Sequence, residues 1–276
     1  GSIRLNREEG HVIKRYCLLA LAIIFALAAT PALANETLTV DSYKNCVGLL
    51  QAGCPSISLD PGVTYTVSVT GDAAANDSLG IQYYDGLFLY FFEQTNDLHP
   101  RIVYLEKGET FDLTAGTEPV YAFLVDISLK DVGDNFGSMD VLFDSGGSRE
   151  VLTVDAVFHC IGLLEYGGAK IVLTPGQEYS VSVTGDAAAN ASPYGQYDGV
   201  CIFTRDISMP YHPQLSFLEF GDEYVFTAHA TGWFWAFLVD FSFADMGDNS
   251  GSMLVEFDAE TGIEEETWSA LKNLFQ

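Results

Sequence analysis

The chain has 276 residues, with 12 Lys and Arg against 38 Asp and Glu, a formal charge of −26. Such an excess of negative charge argues against nucleic acid and anionic membrane surfaces as partners, since both would repel it. Hydrophobic residues make up 48% of the chain, which is enough for packed cores and too much for a disordered acidic tail.

Residues 1–34 read as a signal peptide. Lys14 and Arg15 precede an apolar stretch from Cys17 to Ala29, and Pro31-Ala-Leu-Ala34 supplies a small-x-small cleavage pattern. The apolar stretch is short for a membrane span and no second one follows, so the mature chain is expected to have no transmembrane segment. The expected location is secreted, periplasmic or on the extracellular surface.

The rest is a duplication. Residues 37–144 and 151–258 are two versions of one unit, giving expected domains at 35–146 and 150–259. Thr66-Val-Ser-Val-Thr-Gly-Asp-Ala-Ala-Ala-Asn76 returns as Ser180-Val-Ser-Val-Thr-Gly-Asp-Ala-Ala-Ala-Asn190, and Ala122-Phe-Leu-Val-Asp126 returns as Ala236-Phe-Leu-Val-Asp240. Val63, Tyr65, Val67 and Val69 alternate with Thr and Ser, the pattern of a half-buried strand, and Tyr179, Val181 and Val183 repeat it. Met139, Val141 and Phe143 alternate in the last strand of the first unit, as do Met253, Val255 and Phe257 in the second. Gly86-Leu-Phe-Leu-Tyr-Phe-Phe92 and Val120-Tyr-Ala-Phe-Leu-Val125 are continuous apolar runs suited to central strands. Short strands punctuated by Gly, Asp, Asn and Pro turns predict an all-β protein of two tandem jelly-roll or β-sandwich domains.

Ser145-Gly-Gly-Ser-Arg-Glu150 reads as a flexible linker. The tail, 260–276, reads as a short amphipathic helix with Trp268, Leu271 and Phe275 on one face. Beyond residue 34 the cysteines are Cys46, Cys54, Cys160 and Cys201. The simplest of the three possible connectivities is one disulfide per repeat, Cys46–Cys54 and Cys160–Cys201.

The chemistry concentrates in one loop. Asp131-Val-Gly-Asp-Asn-Phe-Gly-Ser-Met139 returns as Asp245-Met-Gly-Asp-Asn-Ser-Gly-Ser-Met253. Calcium takes six to eight oxygen ligands from carboxylates, amides and carbonyls. Asp126, Asp131, Asp134 and Asn135 supply such oxygens in the first repeat, and Asp240, Asp245, Asp248 and Asn249 in the second. Asp, Asn and Gly are also turn formers, but two aligned loops of this density favour a cation, one Ca²⁺ per repeat. The spacing is not that of an EF-hand. No nucleophile elbow, HExxH or phosphate loop is present, and no enzymatic activity is expected.

These loops, with Asp248-Asn-Ser-Gly-Ser252 the closest, and the strand led by Pro175-Gly176, resemble the PA-I type galactose-binding bacterial lectins. The resemblance implies a small jelly roll with one calcium that coordinates sugar hydroxyls directly. It implies side-chain ligation by Asp126, Asp134 and Asn135, a carbonyl ligand at Asp131, and another near Asp72–Ala74. The matching positions in the second repeat are Asp240, Asp248, Asn249, Asp245 and Asp186–Ala188. The family's His-Pro-Asp-Gln sugar contact is replaced by Gln82-Tyr-Tyr-Asp-Gly86 and Gln196-Tyr-Asp-Gly199, so Tyr83, Tyr84, Asp85, Tyr197 and Asp198 become the candidate sugar contacts. The expectation is a secreted, calcium-binding, lectin-like protein whose partner is an extracellular glycan or polysaccharide. The competing expectation is a calcium-rigidified adhesion or appendage protein with no sugar site, which fits self-association.

Overall fold

A computed structural model describes residues 36–77, 80–93, 96–128, 135–188, 197–206, 208, 213–240 and 249–259. The expected signal peptide at 1–34 and the expected helical tail at 260–276 lie outside these residues. Among the described residues the regular structure is almost entirely strand, arranged as two β-sandwiches; the helical exception is α1 (Leu163–Tyr166).

In the first sandwich, the outer sheet has the order β11 (Arg149–Asp155), β10 (Phe136–Asp144), β4 (Thr64–Asp77), β5 (Gly80–Tyr83), with β8 (Thr110–Thr114) also on β4. Its inner sheet runs β12 (Cys160–Gly162), β9 (Val120–Asp126), β6 (Gly86–Glu93), β7 (Asn96–Glu106), with β3 (Ser56–Ile57) also on β9. In the second, the outer sheet is β1 (Glu36–Asp41), β19 (Ser252–Ala259), β14 (Glu178–Gly185), β17 (Tyr224–Thr227). Its inner sheet is β13 (Ala169–Val172), β18 (Trp233–Asp240), β15 (Gly199–Thr204), β16 (Gln214–Glu219), with β2 (Cys46–Gly48) also on β18.

The alternating strands face as their period dictates. Tyr65, Val67 and Val69 are buried while Thr64 and Thr66 are exposed, and Val141 lies opposite Val69 just as Val255 lies opposite Val183. The continuous apolar runs have a different cause. Every residue of β9 and of β15 is buried, because the two inner sheets pack on each other as well as on their outer sheets. Along β15 and β18, Val200, Ile202, Phe234, Ala236 and Leu238 face the second sandwich's own core. Cys201, Phe203, Trp235, Phe237 and Val239 join the core of the first. Phe88 meets Phe237 across this seam edge to face, 6.1 Å between centroids. The result is a four-layer stack. Burying one such large side chain contributes roughly 1.5–3 kcal/mol.

The strands do not follow the repeat boundaries. β1, from the first repeat, completes the outer sheet of the second sandwich, with Val40 opposite Met253. β11, from the second repeat, completes the outer sheet of the first, with Val154 opposite Met139. β2 and β12 cross in the same way, pairing in parallel with β18 and β9. The cause lies in residues 145–148. The Ser145 N–H donates to the Ser148 carbonyl (3.0 Å), the Gly146 N–H to Asp144 Oδ1 (2.8 Å), and Arg149 pairs with Asp144 (2.9 Å). This is a hairpin, so β11 must fold back beside β10. The expected flexible linker is therefore a tight turn. Each folded sandwich takes its first strands from the other sequence repeat.

Candidate functional site

Each inner sheet carries one acidic residue to the same place. β9 ends at Asp126 and β18 at Asp240, both buried carboxylates at 4% and 8% exposure. The Ile127 N–H donates to Asp126 Oδ1 at 2.6 Å. Asn135, 4% exposed, donates its side-chain amide to Asp126 Oδ2 at 3.3 Å and to the Ala156 carbonyl at 3.2 Å. In the second site the Asn249 amide donates to the Ser42 carbonyl at 3.0 Å, and Asn249 Oδ1 is buried with no hydrogen-bond partner among the described residues. Ala156 and Ser42 both belong to the exchanged segments, so each Asn is tied to chain from the other repeat.

The strand residues predicted to offer carbonyls lie against the return of these loops. Ala73 pairs with Gly137 and Asp72 with Ser138 in the sheet. A Cβ on Gly137 would stand 2.1 Å from the Asp72 carbonyl oxygen, and one on Gly251 2.5 Å from the Asp186 carbonyl oxygen. Both glycines have positive φ, 81° and 76°, which only glycine adopts without strain. The Gly of the Asp-Asn-x-Gly motif is thus required by a close backbone approach beside the acidic loop.

Under each carboxylate lies a Tyr–Cys contact. The Tyr84 hydroxyl donates to the Val125 carbonyl (2.9 Å) and sits 3.6 Å from Cys160 Sγ. The Tyr197 hydroxyl sits 3.4 Å from Cys46 Sγ. Burial raises the Tyr84 hydroxyl well above its ordinary pKa, and the negative charge possible at Cys160 and Asp126 adds to this. Burial likewise pushes the Cys46 thiol up to about 12; its contact with Tyr197 opposes the shift and Asp240 reinforces it. These groups stay protonated and are structural neighbours of the acidic site, not nucleophiles.

The structure corrects two expectations. All four described cysteines are free, buried thiols. The exchange separates Cys46, in the second core, from Cys54 in the first, while Cys160 on β12 and Cys201 on β15 share the first core as free thiols. Of the candidate sugar contacts, Tyr84 and Tyr197 are buried at 1% and 3% exposure, so neither ring offers a face to a ligand. Tyr83 is exposed at 47%, Asp198 is exposed and Asp85 half-buried. Sequence reasoning missed Gln82, buried with both amide atoms lacking a hydrogen-bond partner among the described residues. It also missed the Tyr–Cys contacts, although Cys46 and Cys160 hold equivalent positions in the repeats.

Asp131, Asp134, Asp245 and Asp248 lie outside the described residues. Among the described residues, no three His, Cys, Asp or Glu side chains gather into a metal-binding group. The donors that are described, a buried carboxylate beside an anchored carboxamide and a buried amide oxygen with no partner in the second copy, are hard oxygens of the kind calcium takes. Comparisons with protein-family models, curated proteins and solved structures found no match.

Proposed function

We propose that this chain is a secreted calcium-binding tandem β-sandwich protein that recognises carbohydrate, with one Ca²⁺ held by each Asp/Asn loop. The observation that carries the calcium reading is Asn249 Oδ1. It is a buried acceptor with no hydrogen bond among the described residues, on a residue whose amide nitrogen is fixed elsewhere, and a buried polar atom left unsatisfied is costly. Asp126, Asp131, Asp134 and Asn135 would hold the ion in the first repeat, and Asp240, Asp245, Asp248 and Asn249 in the second. The bound charge would offset the repulsion within each loop and across a chain of formal charge −26.

Thermal unfolding in millimolar calcium and in EDTA tests the metal. A ligand at about 100 times its dissociation constant stabilises by ~2.7 kcal/mol, which corresponds to several degrees in a chain of this size. The shift should vanish in the Asp126→Ala/Asp240→Ala double variant. Equal melting of the wild type in both buffers would remove calcium from the proposal.

One observation favours a second reading, a calcium-rigidified structural or adhesion protein. Asn135 and Asn249 each clamp a segment donated by the other repeat, so a bound ion would stiffen the exchange itself. Calcium-dependent melting with no binding on a glycan array would select this alternative.

A further inference from the structure

We infer a saccharide subsite in the seam between the two inner sheets, away from the acidic loops. A cavity of about 270 Å³ opens where β7 of the first repeat runs beside β16 of the second. It is lined by Pro100, Arg101, Ile102, Asp198, Phe217 and Glu219.

The lining has the composition that a polyhydroxylated ligand requires. Pro100 and Ile102 are buried behind it, and Phe217 presents a half-buried ring, the apolar surface open to a ligand. The Arg101 guanidinium lies 5.8 Å from the centroid of the Phe91 ring, which limits its directions. Asp198 and Glu219 stand exposed at the rim. They are brought together by a close backbone approach: Gly199 pairs with Glu219, and a Cβ on Gly199 would stand 2.1 Å from the Leu218 carbonyl oxygen. The Phe220 N–H donates to the Asp198 carbonyl at 2.8 Å and fixes the turn that carries it. Carboxylates accept from sugar hydroxyls, a guanidinium donates to them, and the Phe217 ring takes the C–H face of the sugar. Two carboxylates in a chain of charge −26 select against anionic glycans, so the ligand class is a neutral hexose. This placement rests on the carbohydrate reading above, and it moves the sugar from the calcium to the seam.

The test is calorimetric titration of the full chain, in millimolar calcium, with a panel of methyl glycosides of neutral hexoses. Glu219→Gln, Asp198→Asn and Phe217→Ala should each weaken the strongest binding by about tenfold or more. The two isosteric changes should leave the melting temperature in place. Undiminished binding in Glu219→Gln and Asp198→Asn, with binding lost in Asp126→Ala/Asp240→Ala, would overturn the seam site and return the sugar to the calcium. No binding by the wild type to any glycoside would overturn the carbohydrate reading and the seam site together.

Discussion

The side-chain amide of Asn135 donates to the main-chain carbonyl of Ala156, 3.2 Å away, across the boundary between the two repeats. Asn249 does the same to Ser42 at 3.0 Å in the opposite direction. A residue conspicuous in the acidic loop motif therefore also fastens the exchanged chain. Asn135→Asp would lose both donated bonds and set a second carboxylate against Asp126. The expected loss is about 1–3 kcal/mol of stability, measured by urea denaturation in EDTA. On the calcium reading the loss shrinks when calcium is added.

Glycine substitutions should separate close approach from mere φ. Gly137 and Gly146 have nearly equal dihedrals, φ 81° and 79°. A Cβ at Gly137 meets the Asp72 carbonyl at 2.1 Å, whereas one at Gly146 meets nothing within 4 Å. Gly146→Ala should cost about 1 kcal/mol, the strain of a left-handed alanine, and Gly137→Ala clearly more. Matched melting temperatures for the two variants would show that the outer sheet yields at Gly137.

The thiols should be silent in the folded protein. Cys46, Cys54, Cys160 and Cys201 are buried, and burial pushes the Cys54 thiol up to about 12. A chain beginning at residue 35 should show no reaction with an aromatic disulfide reagent at neutral pH, and four equivalents once unfolded. Rapid labelling of the native protein would contradict the burial of these groups.

His159 and Asn45 occupy matching positions. His159 Nδ1 accepts the Asp155 N–H at 2.9 Å, and Asn45 Oδ1 accepts the Asp41 N–H at 3.0 Å. Because one repeat already uses the amide for this bond, His159→Asn should be nearly neutral, while His159→Ala should cost about 1 kcal/mol. Equal stability for the two variants, by thermal melting, would show that the bond contributes nothing.

Glu106 supplies a pH signature. Its pKa is raised, first by burial and then by the charges of Glu109 and Asp85. A carboxyl with a raised folded-state pKa binds its proton more tightly when folded. Its stabilising contribution is therefore present at low pH and lost as pH rises through the folded value. Glu106→Gln should be more stable than the wild type at neutral pH, with the gap closing near the carboxylate range, about pH 4. A gap that is constant with pH would remove Glu106 as its source.

Much of the fold was legible because burial imposes a period. Tyr65, Val67 and Val69 had to share a face, and the unbroken run Val120–Val125 had to be covered on both sides. The exchange was not legible, for a physical reason. β1 and β11 carry the same inward pattern, Leu38 and Val40 in one, Leu152 and Val154 in the other. Either strand thus suits either edge, and only the hairpin at 145–148 decides. The same ambiguity undid the disulfide expectation, which assumed that neighbours in a repeat are neighbours in space. It also hid the burial of Tyr84 and Tyr197, since a tyrosine before a turn reads equally well as a platform or as a core residue.

The exchange carries a kinetic consequence. Glu36 in β1 lies opposite Phe257 in β19, so β1 leaves the ribosome long before the strand it pairs with. Until β19 emerges, β1 has no sheet edge to join. Such distant pairing slows folding, and a ribosome that stalls after the first repeat would release a sandwich without β11 beside β10. Translation, not only thermodynamics, therefore sets when this protein first becomes whole.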